Sequence, residues 1–386
     1  MIPVTGYRRP GGRVGIRNHV LIISSVVCAN RVTQMIAEQV PGAVPLMHQH
    51  GCAQLGADRE QTLRTLAGFG ANPNVGASLV VGLGCETIAA SEVAEMVAAS
   101  GKPTRYLNIQ DCGGTLGASA RGAEVAARLA AQASAMKREP IGWDEIILAM
   151  ECGGSDWTSG VAANPACGSA ADDLVEARGT VILSETTEMI GAEHLLADRA
   201  ETKEVAREIH RIVQRMEERA IATGEDIRGT QPTPGNIEGG LTTIEEKSLG
   251  CIYKAGTSSI REVVEYAHPP EQRGLVIMDT PGHDIESITG MVAGGSQLVI
   301  FTTGRGTPTG CPIAPVVKVT ANKETAAKMA DNIDIDCSGV IEGTESLESA
   351  KEHILSKCAA VINGQLTKAE ALGHAEFALN RVGPSF

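Results

Sequence analysis

Five short apolar runs in the first part of the chain each stop abruptly in a thiol-bearing turn and pass into a segment of helical periodicity. Residues 19–27 (HVLIISSVV) lead to Cys28, residues 43–47 to His48, His50 and Cys52, and residues 78–81 to Cys85 and Glu86. Residues 104–109 lead to Asp111 and Cys112, and residues 146–150 to Glu151, Cys152, Gly153, Gly154, Ser155 and Asp156. Runs this short and this apolar are those of strands buried on both faces, and the helices between them supply parallel crossovers. The alternation predicts α/β folding in doubly wound, mostly parallel, Rossmann-like sheets. In such a sheet ligands bind where the strands' C-terminal ends share an edge. One crevice is thus expected to collect the five strand-end cysteines with His48, His50, Glu86, Glu151 and Asp156.

At 386 residues the chain exceeds the size of a single core, so two α/β domains are expected, 1–141 and 142–386. In the second, a helix over 164–178 precedes a strand at 180–183 that ends in Ser184, Glu185 and Glu188, with Glu193 and His194 beyond. A helix over 201–223 carries a solvated charged face. Residues 226–240 (DIRGTQPTPGNIEGG) form a Pro/Gly loop long enough to act as a lid or binding loop. Thr242, Thr243, Glu245 and Lys247 open the next helix, either as ordinary caps or as an anion site. Strands follow at 275–278, 298–301 and 316–319, and a helix at 347–361.

A formal charge of -13 disfavours nucleic acid and anionic membrane surfaces as partners. No apolar stretch spans a membrane and the N-terminus lacks the pattern of a secretory leader, which points to the cytoplasm. The ten cysteines contain no CxxC, which argues against a structural zinc module, and a disulfide framework does not suit a reducing compartment. Cys167, Cys251 and Cys358 read as small core residues. Thiolate with imidazole suits iron or zinc, and carboxylates suit a harder, open coordination position. Neither a Walker loop nor a dinucleotide fingerprint is present.

Several long motifs carry a resemblance: GYRRPGGRVGIRNHV, ANPNVGASLVVGLGCE, CGGSDWTSGVAANPA, LSETTEMIGAEHLL, PTPGNIEGGLTTIEEKSLG, MDTPGHD, FTTGRGTPTGCPIAPVVKVTAN and EALGHAEF. Together they resemble the altronate/galactarate dehydratase family, which also includes the large subunit of sulfolactate sulfo-lyase. The resemblance implies a cytoplasmic, ferrous-iron-dependent hydro-lyase that converts an aldonate or aldarate to a 2-keto-3-deoxy acid. Alternatives are a sulfo-lyase acting on sulfolactate and a non-catalytic iron-sulfur protein. Full-length dehydratases of the family carry a small N-terminal domain not found here, so the resemblance to two-subunit members implies a separate small partner chain. A homo-oligomer is also expected.

Both readings together set the expected site. Cys28, Cys85 and Cys152, with His48 or Cys52, are expected to hold iron as Fe2+ or as a 4Fe-4S cluster. Removing a proton beside a carboxylate builds negative charge that a cation must offset. Glu185 or Lys247 is the expected base, His194 the acid, and Asp156 a further catalytic candidate. Asn164, Asn236, Gly239, Gly240, Thr302 and Arg305 are expected to grip the substrate, since arginine can hold both carboxylate oxygens at once.

Overall fold

The structure, a computed structural model, describes residues 1–383. It begins with a short antiparallel ribbon of β1 (Val4–Arg8) and β2 (Val14–Gly15). A four-stranded parallel sheet follows: β3 (His19–Ser24), β4 (Ala43–Leu46), β5 (Val75–Gly82) and β6 (Thr104–Asn108), in the order β4-β3-β5-β6. After the helix Thr115–Ser134 the chain returns to the ribbon, where β7 (Glu139–Ile141) pairs antiparallel with β1.

Seven strands form the second parallel sheet. They are β8 (Ile147–Cys152), β9 (Thr180–Leu183), β10 (Ile260–Val264), β11 (Gly274–Met278), β12 (Leu298–Thr302), β13 (Val316–Thr320) and β14 (Ile335–Asp336). Their order is β10-β11-β9-β8-β12-β13-β14, so successive connections run outward in opposite directions from β8 and β12. Loops that diverge in this way leave a gap above the strand ends, which is where open α/β sheets bind ligands. The long apolar runs behave as expected of strands covered on both faces: β5, β11, β12 and β13 are buried throughout.

The two sheets share an apolar core. It includes Leu21, Phe69 and Val80 from the first part of the chain and Met278, Met291 and Phe301 from the second. The helices Ala57–Ala71 and Asp284–Ala293 meet there, and a Cβ at Gly68 would lie 2.4 Å from the carbonyl oxygen of Ala293, so only glycine permits the approach. Two asparagines reinforce the contact. Asn72 Nδ2 donates to the carbonyls of Val292 and Ser296, and Asn74 Nδ2 to those of Gln297 and Ile313.

Three expectations change. The five strand-end cysteines belong to two sheets: Cys28, Cys52, Cys85 and Cys112 follow strands of the first, whereas Cys152 ends β8 of the second. Residues 226–240 are not an open loop but carry two short helices, Ile227–Thr230 and Pro234–Glu238, on either side of a cis Gln231–Pro232 bond. β10 and the ribbon strands were not anticipated, because Arg261 and Glu262, like Gly6 and Arg8, interrupt the apolar pattern.

Candidate active site

At the C-terminal end of β8 a group of charged and thiol side chains is sealed from solvent. Cys152 closes the strand, and its backbone N–H donates to Glu185 Oε2 at 2.9 Å. Glu185 is the first residue but one after β9 and has φ 65°, a left-handed conformation that side-chain-bearing residues seldom adopt. Two contacts hold it there: its N–H donates to Thr280 Oγ1 at 2.7 Å, and the next N–H, of Thr186, donates to the Thr280 carbonyl at 3.0 Å. The strained turn aims the carboxylate back toward β8.

Lys254 completes the cluster from the other side. It lies in the 3-10 turn Tyr253–Ala255 that ends the helix Ile244–Ile252, and its side chain is 1% exposed. Its ammonium pairs with Glu185 Oε2 and donates to Cys152 Sγ at 2.9 Å. The turn is set by backbone contact, for a Cβ at Gly168 would lie 2.0 Å from the Tyr253 carbonyl oxygen. Burial opposes the charge on Lys254, but Cys152 and Glu185 beside it outweigh that and hold its pKa well above the usual lysine value. We take the pair as ammonium and carboxylate. The pKa of Cys152 is itself pushed well above the usual thiol value, first by its contact with Cys251 and then by burial, while the Lys254 ammonium works the other way.

Cys251 Sγ lies 3.3 Å from Cys152 Sγ and 3.4 Å from Glu188 Oε2. Glu188 follows on the 3-10 turn Thr186–Met189, and its other oxygen pairs with Lys247 Nζ at 2.9 Å. Burial works against the Lys247 ammonium too, yet the Glu188 carboxylate raises its pKa above the usual value. Unlike Lys254, Lys247 reaches open space. It borders a cavity of about 230 Å³, also lined by Asp156, Asn164, Leu241, Cys251 and Tyr253, and one of about 190 Å³ that Glu188 shares.

Behind Glu185 a chain of hydroxyls runs to a second carboxyl. Thr280 Oγ1 donates to Ser287 Oγ at 3.0 Å, and Ser287 Oγ donates to Glu151 Oε2 at 2.7 Å. Glu151 is fully buried on β8, and burial, then the charges of Glu185 and Asp284, raise its pKa well above the carboxylate range. Asp284, at the start of the helix Asp284–Ala293, is pushed up to about 7, by burial first and then by Glu185. A Cβ at Gly153 would lie 2.4 Å from Asp284 Oδ2, so the glycine after Cys152 makes room for this carboxyl.

The remaining expected residues separate by place. Asp156 Oδ1 accepts from Thr158 Oγ1, Ser159 N and Ser159 Oγ, and Oδ2 from Asn322 Nδ2, so both its oxygens are engaged in folding the turn. Asn164 donates to the Gly250 carbonyl and accepts from Thr302 Oγ1 at 2.6 Å, and Asn236 donates to the Ser155 carbonyl. Gly239 accepts from Trp157 N, and Gly240, exposed, packs beside the Trp157 ring. Arg305 is half exposed and pairs with Glu238 at 3.1 Å. His194 is exposed on the short helix Glu193–Ala197. Cys28, Cys52 and Cys85 are exposed. His48 has both ring nitrogens engaged: Nδ1 accepts from His50 N at 3.1 Å and Nε2 faces the Ser24 carbonyl at 3.1 Å. Lys254 and Glu188 were missed as functional groups, and Cys251 was read as core. A lone lysine at a helix end carries no periodic signal, and its importance rests on contacts across 69 and 102 positions.

Comparison with known proteins places this arrangement in a family. Residues 143–385 match the C-terminal domain described as D-galactarate/altronate dehydratase, and residues 6–134 match the second domain described as D-galactarate dehydratase/altronate hydrolase. The chain belongs to the galactarate/altronate dehydratase family. Among relatives within this family, the (2R)-sulfolactate sulfo-lyase subunit beta of Chromohalobacter salexigens is 39% identical over 98% of this chain and 97% of its own. The altronate dehydratases of Bacillus subtilis and Escherichia coli are 33% and 35% identical, each over 98% of this chain and 77% of theirs. Among the described residues of this family member, no helix is long and apolar enough to cross a membrane.

Proposed function

We propose that the protein is a lyase that dehydrates a sugar acid related to altronate or galactarate, giving a 2-keto-3-deoxy acid and water. The observation that carries this reading is the Glu188–Lys247 pair, 2.9 Å apart and set in the wall between two cavities at the strand ends. The substrate carboxylate faces the Lys247 ammonium, which offsets the negative charge that builds as the C2 proton leaves. Glu188 takes that proton. The C2–H electron pair forms the C2–C3 double bond as the C3–O bond breaks, and Glu188 returns the proton to the departing hydroxide, so that water leaves and the enol relaxes to the ketone. One carboxyl can serve both steps because the two groups leave adjacent carbons. In this reading Lys247, expected as a base, acts as a fixed cation. Glu185 is fully enclosed and holds Lys254 and Cys152 rather than meeting substrate.

Iron, which the family resemblance implies, is assigned here to the exposed thiols of Cys28, Cys52 and Cys85 as a 4Fe-4S cluster; a single ion needs donor atoms closer together, and among the described residues these three do not form a group within 4.8 Å of one another. Soft, solvent-facing thiols at the ends of β3, β4 and β5 suit such a group, whereas His48, with both ring nitrogens committed, does not. Bound iron would supply positive charge to substrate oxygens. A second, smaller chain is proposed as partner, supported by the end-to-end match to a relative named as a beta subunit. That same match favours a second reading, in which the leaving group is sulfite from sulfolactate. Both readings place the protein in the cytoplasm as an oligomer.

The test is anaerobic, iron-supplemented turnover across aldonates, aldarates and sulfolactate, with and without a co-expressed small subunit. Keto-acid formation from a sugar acid without sulfite supports the dehydratase. Sulfite release from sulfolactate alone would replace it with the second reading, and no product from any substrate would sink both.

A further inference from the structure

The motif GYRRPGGRVGIRNHV, which the proposed reaction does not use, brings Arg9 and Arg13 to a cavity of about 320 Å³ that Lys102 also lines. Pro73 and Lys102, in its wall, stand just before β5 and β6, so the cavity lies at the N-terminal ends of these strands. Arg13 reaches on to the second sheet: its Nη1 is 2.9 Å from where a Cβ on Gly295 would stand, shortly before β12. β12 runs parallel to β8, and Cys152 closes β8 at the opposite edge. Anything held in this cavity is therefore remote from the groups assigned to the reaction.

Three cations meet here without an anion. Lys102 is 4% exposed, and its ammonium, which has three hydrogens to donate, gives one to the Asn72 carbonyl. The charges that act on it are those of Arg9 and Arg13, and burial together with these two pushes its pKa well below the usual lysine value. Arg9 is spent on the fold: Nε donates to the Pro73 carbonyl, Nη1 to Asn18 Oδ1 and Nη2 to the Arg17 carbonyl. Arg13 is exposed and has no ion pair or side-chain hydrogen bond among the described residues. A buried ammonium without a counter-charge is costly, and the chain's formal charge of -13 makes an uncompensated group of cations the more unusual. A lysine point charge beside an arginine fork is a combination that suits phosphate oxygens. The cavity's volume is that of a small organic ligand's site, with room for more than the phosphate group.

We propose that the cavity between Lys102 and Arg13 binds a phosphate group, free or as the monoester of a small metabolite, and that the bound anion ties the two sheets together at their joint. The ammonium takes one oxygen and the guanidinium two others. The site goes beyond the lyase reading and does not depend on it, because no group assigned to the reaction lines the cavity.

The full chain is titrated calorimetrically with inorganic phosphate and with glycerol 3-phosphate at constant ionic strength, and its thermal unfolding is followed over the same concentrations. The expected result is about one site per chain, with an unfolding temperature that rises as ligand is added. Arg13→Gln and Lys102→Met should each weaken binding about tenfold or more. Arg13 is exposed and bonds no other side chain, so Arg13→Gln serves if Lys102→Met fails to fold. Lys203→Gln, which removes an exposed lysine elsewhere, is expected to leave affinity unchanged. Tighter binding of glycerol 3-phosphate would identify an organic phosphate as the ligand, and equal binding the free ion. No binding by the parent protein, equal binding by Arg13→Gln, or a matching loss in Lys203→Gln would overturn the site.

Discussion

Cys152 Sγ and Cys251 Sγ lie 3.3 Å apart in the interior although 99 positions separate them in the chain. Closing that gap to the bond length of about 2 Å needs little movement. Treatment with diamide is expected to join them: the two thiols lose two hydrogens, which the diazene takes up to become a hydrazine. Mass spectrometry of a non-reduced digest should find the linked peptides, and Cys251→Ser should abolish them. Absence of the link in the parent protein would show that the pair is held too rigidly to react.

The Lys254–Glu185 pair is fully enclosed, at 1% and 0% exposure. Removing one member leaves the other as an uncompensated buried charge, which costs about 3–5 kcal/mol. Lys254→Met is therefore expected to lower stability by that order in urea unfolding. The double variant Lys254→Met, Glu185→Gln should recover part of the loss, since the two changes remove one shared interaction. Strictly additive losses would mean that the pair is not coupled.

If Glu188 moves the proton, Glu188→Gln should lower kcat by about 10²–10⁴-fold with an intact fold. Lys247→Met should lower kcat/KM by about 10²–10³-fold through lost charge stabilisation. Near-normal turnover in either variant would exclude its role.

Gly168 lies on the helix Asn164–Glu176 directly against the turn that carries Lys254. Gly168→Ala inserts a methyl group 2.0 Å from the Tyr253 carbonyl, and backbone cannot step aside as a side chain can. A loss of about 1–3 kcal/mol is expected from thermal unfolding, with activity reduced further because Lys254 is displaced. An unchanged melting temperature would mean that the turn adjusts freely.

His48, like His19, is expected to make the fold less stable in acid. Burial lowers its pKa to about 4, below the value of about 6.5 expected when unfolded. Between these values the unfolded chain binds the proton and the folded chain does not, so stability rises with pH. The contribution is complete above pH about 6.5 and is lost progressively as pH falls toward 4, by up to about 3 kcal/mol. His48→Gln should flatten this part of the urea-midpoint-against-pH curve, and an unaltered acid limb would assign the dependence to other groups.

Much of the sheet architecture was readable beforehand because its strands are short, apolar and closed by small residues; 180–183 matches β9 to the residue. Glu185 and Cys152 were legible as strand-end chemistry. Lys254, Cys251 and Glu188 were not, because their meaning lies in which turns fold against each other, and one sequence does not encode strand order in any local pattern. The two-sheet division of the cysteines escaped for the same reason. β10 was hidden by Arg261 and Glu262, which an edge strand can point to solvent at no cost.

Asn72 and Asn74 find their carbonyl partners between 220 and 239 positions downstream. On the ribosome, then, the four-stranded sheet emerges long before the backbone groups that satisfy these amides exist. The first third of the protein has to wait, unfinished, for the arrival of the last, and a chain stalled near residue 290 would present that raw surface to the chaperones.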